Sequence, residues 1–168
     1  PKSEKLNDLE LGLKYTKNKG SFTANAYWMN YKDQLVLTGK INDIGSYTRT
    51  NVPNSYRAGL ELDAQYQFNK YFSTSGNITF SKNKIDQFTE YFDNYDAGGQ
   101  KAIVHHNTDI TLSPNTTAFH QFNWTPTTNW KISFTSKYVS KQYLDNTQNE
   151  SRTLKAYFLN DLNTTWKF

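Results

Sequence analysis

YRAGLELDAQYQF, residues 56–68, decides the fold. Tyr56, Ala58, Leu60, Leu62, Ala64, Tyr66 and Phe68 alternate with Arg57, Gly59, Glu61, Asp63, Gln65 and Gln67. Side chains that alternate with period two point to opposite faces of an extended chain, so one face is greasy and the other polar. Globular strands average about five or six residues, whereas a tilted strand needs about nine to eleven to cross a bilayer. The length of this run points to the second kind.

Six further segments read the same way, starting near Leu9, Phe22, Phe72, Ala118, Trp130 and Phe158. His120 and Asn160 are the residues that break their alternation. The connections sort into two classes. Residues 17–20, 69–71 and 125–129 are tight and rich in Asn, Lys, Gly or Pro, as hairpin turns require. Residues 32–55, 82–112 and 140–155 are long. Strict alternation of short and long connections puts all the short ones at one end of an antiparallel sheet. We therefore expect an all-β fold, an antiparallel up-and-down transmembrane β-barrel fragment of about seven long strands with short periplasmic turns and long extracellular loops.

Composition agrees. Tyr, Phe and Trp number 12, 11 and 4, which favours strands over helices. Mean hydropathy is −0.83, with no apolar run near the ~18 residues of a membrane helix. A barrel strand contributes only every second residue to lipid, so low mean hydropathy is compatible with a membrane wall. Rings also gather at the strand ends, where one side of a membrane-facing ring is dry and the other wet. Trp28, Tyr31, Tyr66, Phe68, Phe72, Trp124, Trp130 and Trp166 are the expected membrane-interface aromatics. Arg57, Glu61, Asp63, Lys131 and Lys137 are expected to face the lumen. Seven strands are odd in number, which implies further strands outside this sequence.

A net charge of +4 is spread singly along the chain and forms no phosphate-binding stripe, so no nucleic-acid partner is expected. Without Cys there is no thiolate nucleophile or disulfide framework. No nucleophile elbow, phosphate loop or zinc-helix motif is present, so neither catalytic residues nor a cofactor are expected. Two rivals fit parts of the pattern. A soluble β-sandwich or small barrel, acting in carbohydrate binding or adhesion, would bury the apolar face. A barrel hydrolase would need a partner for His120.

One ordered series of stretches is more specific than any of this. NYKDQLVL (30–37), YTRTN (47–51), NSYRAGLEL (54–62), LSPN (112–115) and KYVSKQYLDNT (137–147) resemble, in order, the late barrel of TonB-dependent receptors of the Bacteroidetes type. The resemblance runs from about Tyr27 onwards. It implies that residues 1–168 are part of a receptor barrel domain, an incomplete barrel without its plug, in the bacterial outer membrane. In that family a barrel of about 22 strands encloses an N-terminal plug. The partners implied are the plug and the TonB complex, reached through N-terminal parts, together with outer-membrane lipid. The implied ligand is a small molecule: a ferric siderophore or other iron complex, cobalamin or an oligosaccharide.

Within the second long connection, Tyr91, Phe92 and Tyr95 could stack on such a ligand, and His105 and His106 are the candidate polar contacts. Neighbouring His residues on an extended chain point apart, and no third ligand follows at a metal-site spacing, so no metal site is expected. Asp86, Glu90, Asp93 and Asp96 make this connection acidic without forming a calcium loop, and a solvated face is expected of them.

Overall fold

The computed structural model describes residues 2–41, 47–94, 96 and 100–168. Its wall consists of β1 (Lys5–Lys17), β2 (Gly20–Ile41), β3 (Tyr47–Gln67), β4 (Phe72–Asp93), β6 (Thr116–Thr127), β7 (Trp130–Val139) and β10 (Tyr157–Trp166). These seven pair in chain order, all antiparallel, with β5 (Gln100–Asp109) added to the far half of β4. A small hairpin, β8 (Gln142–Tyr143) with β9 (Thr153–Leu154), lies outside the sheet. β1 and β10 do not pair, so the sheet is open.

Register converts the alternation into two continuous faces. Leu13, Ala24, Leu62, Ile78, Ala118, Tyr138 and Phe158 are successive cross-strand partners over all seven wall strands. The row of Thr16, Ser21, Gln65, Ser75, Gln121, Thr135 and Asp161 crosses the same strands on the opposite face. Slipping any strand by one residue would turn its apolar set to the polar side, so the pattern fixes the pairing.

The apolar face is left uncovered. Leu11 is 77% and Leu162 75% exposed. Leaving such a side chain in water, when it could be buried, forgoes about 1.5–3 kcal/mol. A face made of many of them requires hydrocarbon, and the soluble-sandwich alternative, which buries this face, does not describe the chain.

The turns are built as their composition suggests. Asn69 Oδ1 accepts the backbone N–H groups of Tyr71 at 2.8 Å and Phe72 at 3.1 Å, the Asx arrangement that reverses the chain between β3 and β4. The long connections are built differently from the open loops expected. β2 and β3 keep pairing well past the bilayer-length portion, as far as Leu37 opposite Arg49 without a register break. Residues 82–112 are mostly strand, the outer half of β4 and all of β5.

The hydrophobic core lies in these extensions and not in the wall. Val36, Val52, Ile85, Phe88 and Ile110 form one buried cluster. On β4 the buried positions change from odd to even numbers between Ile85 and Phe88. Opposite this switch Asn107 has φ 52°, a left-handed conformation that Asn tolerates. Through this cluster the β4–β5 hairpin packs on the β2–β3 extension.

Candidate functional site

The polar face supplies the first half of the site. Arg57, Glu61 and Asp63 on β3 share it with Lys131 and Lys137 on β7, since they stand an even number of residues from Gln65 and Thr135 of the polar row. Tyr27 lies over Gly59, where a Cβ would stand 2.5 Å from its hydroxyl, so a side chain on β3 is given up to seat the ring. Arg57 Nη1 donates to Asn83 Oδ1 at 3.3 Å and to Ser113 Oγ at 3.1 Å. This fastens the segment after β5 onto the wall. Tyr27, Arg57, Glu61, Asn83 and Ser113 line a hollow of about 370 Å³ on the polar face, with Leu112 and Pro114 also in its wall.

The second half is the mass of packed extensions, held together by polar groups that cross between them. Asn146, 1% exposed, is the centre. Its Nδ2 donates to the Leu37 carbonyl at 3.0 Å and its Oδ1 accepts the Thr111 N–H at 2.8 Å. A single amide side chain therefore joins the β2 extension, the segment after β5 and the β8–β9 hairpin. Lys84 Nζ and Asp109 Oδ1 meet at 2.8 Å with both side chains nearly buried, bracing β4 against β5.

Glu90 forms a second junction. Its Oε2 lies 3.0 Å from His105 Nε2, and its Oε1 accepts from Arg152 Nη1 at 3.2 Å. Arg152 also reaches Asp145 Oδ2 at 2.9 Å. Partial burial works to raise the pKa of the Asp145 carboxyl, yet the Thr147 hydroxyl, Arg152 and the Thr147 N–H outweigh it and hold the carboxyl below its ordinary range. Glu150 is likewise held low, by Lys141 first and the Tyr143 hydroxyl second, and Lys141 is raised by the same contacts.

The expected ligand-contact residues separate. Cross-strand partnering puts His105 and Phe92 on the face of the β4–β5 hairpin that carries Phe88 and Glu90. Tyr91 and His106 take the other face. Tyr91 and Phe92 are exposed, and His105 is half-buried between Phe88 and Glu90. Tyr95 lies outside the described residues. Glu90 is no solvated loop acid, because His105 and Arg152 both engage it. Among the described residues no three His, Asp or Glu side chains stand together as a metal site.

On the apolar face the rings form a belt at the short-turn end. Phe72, Trp124, Trp130 and Trp166 follow one another at centroid distances of 6.2, 6.4 and 5.9 Å. Phe68 packs edge-on to Tyr66. Trp28 stacks on Tyr56 towards the other end. Tyr31 departs from the expectation. It is the cross-strand partner of buried Ser55 and belongs to the polar face, because it stands at an odd position of β2, where the apolar residues are even. The two residues that break the alternation are also accounted for. His120 Nε2 lies 2.7 Å from Thr74 Oγ1, and Asn160 Oδ1 accepts from Ser136 Oγ at 2.8 Å, so their polarity is matched across strands.

Sequence reasoning missed Asn146 and the Lys84–Asp109 pair. Neither carries a local signal, since a buried Asn and a solvated one read alike in sequence.

Comparison with known proteins supplies the remaining evidence. A family profile described as "TonB dependent receptor-like, beta-barrel" matches residues 2–168. A search among curated proteins found no significant match. Among solved structures, the ferric yersiniabactin uptake receptor FyuA from Yersinia pestis aligns with a TM-score of 0.71 at 19% identity, over 97% of this chain and 22% of that one. The copper transporter OprC gives 0.71 at 18% identity, over 98% and 23%. The siderophore receptor PiuA from Acinetobacter baumannii gives 0.69 at 17% identity, over 96% and 22%. At these identities the likeness shows the fold, and the chain spans under a quarter of the length of these three. The family and these neighbours are receptors and transporters of the outer membrane, not enzymes, which also removes the hydrolase alternative. This chain belongs to the TonB-dependent receptor family, as part of its outer-membrane β-barrel.

Proposed function

We propose that the whole receptor imports a scarce ligand, a ferric siderophore or another iron complex, and that this chain builds part of its wall and mouth. The observation that carries the reading is the likeness to FyuA, a ferric yersiniabactin uptake receptor, and PiuA, a siderophore receptor. In this reading the polar face lines the lumen and meets the plug, and TonB supplies the energy. The packed extensions stand at the mouth. Tyr91 and Phe92, exposed on opposite faces of the β4–β5 hairpin, offer rings to an aromatic or flat ligand. The ordered stretches similar to Bacteroidetes-type receptors support a source among those bacteria.

The test is uptake by cells. Deleting the gene should abolish TonB-dependent accumulation of a labelled ferric siderophore under iron limitation, and the full-length gene should restore it. A deletion that spares iron uptake but blocks cobalamin or oligosaccharide uptake would contradict the ligand class. A restored activity that persists without TonB would contradict the energised mechanism.

A further inference from the structure

The apolar face of the wall is not uniformly filled. Ala64 and Gly76, cross-strand partners on β3 and β4, form the floor of a groove of about 830 Å³. Tyr15, Phe22 and Tyr66 wall it on one side and His120 on the other. This volume falls in the range of roughly 300–1,000 Å³ typical of small-molecule sites. Gly76 is held small by its neighbour strand, since a Cβ there would come 2.8 Å from the Phe119 carbonyl.

The groove runs out at the β1–β2 turn, and its mouth is basic. Lys17 and Lys19 line it and no carboxylate does. Among the described residues neither lysine is ion-paired. Lys19 Nζ makes one contact, to the Phe68 carbonyl at 3.4 Å, which leaves two of its three N–H groups for a ligand. The turn lies at the same end of the wall as Phe68, Phe72 and Trp124, the level at which membrane aromatics meet lipid headgroups. An apolar trough in contact with hydrocarbon, ending in two cations at headgroup depth, matches a molecule with an acyl chain and a phosphate.

We propose that this groove is a binding site for an anionic phospholipid of the periplasmic leaflet, with its phosphate on Lys17 and Lys19 and one acyl chain along Ala64 and Gly76. The site rests on the apolar face meeting lipid and is independent of what the receptor imports. A phospholipid is favoured over a protein occupant because the groove's surface is mainly apolar and its two lysines gather at the turn end.

The test uses the full-length receptor, stripped of lipid in neutral detergent and offered equal amounts of phosphatidylglycerol and phosphatidylethanolamine. Native mass spectrometry reads the lipid retained. The expected result is several-fold preference for phosphatidylglycerol, which the Lys17→Gln/Lys19→Gln variant abolishes. Ala64→Leu, which fills the trough and leaves the lysines in place, should reduce retention of both lipids. The turn variant changes only exposed side chains, so it folds whether or not Ala64→Leu does. Equal retention of the two lipids by the parent protein would overturn the proposal. So would a preference unchanged in the lysine variant, or a mass showing a second copy of the receptor in place of lipid.

Discussion

Asn146 Nδ2 donates to the carbonyl of Leu37 at 3.0 Å, across 109 residues of chain. With the Thr111 N–H on its other oxygen, the same side chain closes a junction of three extensions that the wall strands alone would leave independent. Replacing it by Ala leaves a part-buried carbonyl and a part-buried N–H without this partner. Each such group costs about 1–3 kcal/mol when left unpaired. Asn146→Ala should raise amide exchange by one to several orders of magnitude at Leu37, Thr111 and Tyr143, while exchange in the span around Leu62 stays unchanged. Equal acceleration in both regions would mean that Asn146 supports the wall as well.

The Lys84–Asp109 pair gives a second handle on the extensions. Asp109→Ala leaves the ammonium nearly buried without its counter-charge, a loss of about 3–5 kcal/mol. Lys84→Met combined with Asp109→Leu removes both charges and should recover most of that. Protease resistance of the β4–β5 hairpin is the measurement. A double variant as fragile as the single one would show that the charges contribute beyond neutralising each other.

Acid should loosen the β8–β9 hairpin. Asp145 and Glu150 are held below their ordinary pKa values of 3.8 and 4.5, so the stability they contribute is complete above those values and is lost as pH falls through the lower, folded ones. Lys141 is raised from 10.5, so its contribution is complete below that pH and is lost as pH rises through the folded value. Exchange protection at Tyr143 and Leu144 should therefore be flat between about pH 4.5 and 10.5, after correction for intrinsic exchange, and fall on either side. Protection that increased on acidification would contradict the assignment.

The wall was legible in the sequence and the mouth was not, and the reason is the solvent. Between Tyr56 and Phe68 lipid on one side and a polar interior on the other impose strict alternation, which survives in the sequence as a readable period. Beyond the bilayer the same strands lose that asymmetry. Ile85 and Phe88 are both buried although an odd step separates them, so β4 reads there as loop. Position along the strand assigns the Tyr31 ring to the membrane interface, whereas its odd parity on β2 puts it on the polar face. Asn146 and Glu90 reach Leu37, Thr111 and Arg152 only when distant extensions meet, and Lys84 reaches Asp109 only once β4 and β5 pair.

Charge on the apolar face should be costly in a way that charge on the polar face is not. Leu62→Arg, in the middle of the 56–68 span, should destabilise by roughly 2–4 kcal/mol in bilayers. Glu61→Gln, one residue away, should stay within about 0.5 kcal/mol. Urea unfolding of the receptor from lipid vesicles measures both. Similar losses at the two positions would dissolve the distinction between the faces.

The most direct test follows the alternation itself. The chain has no Cys, so single Cys substitutions at each of residues 57–64 can be spin-labelled in the full-length receptor held in membranes, once any Cys elsewhere in it is replaced. Accessibility to lipid-soluble oxygen should peak at Ala58, Leu60, Leu62 and Ala64. Accessibility to a water-soluble nickel chelate, or immobilisation against protein, should mark Arg57, Gly59, Glu61 and Asp63. A profile without a two-residue period, or one with oxygen peaks at the odd positions, would contradict the lipid-facing wall on which the account stands.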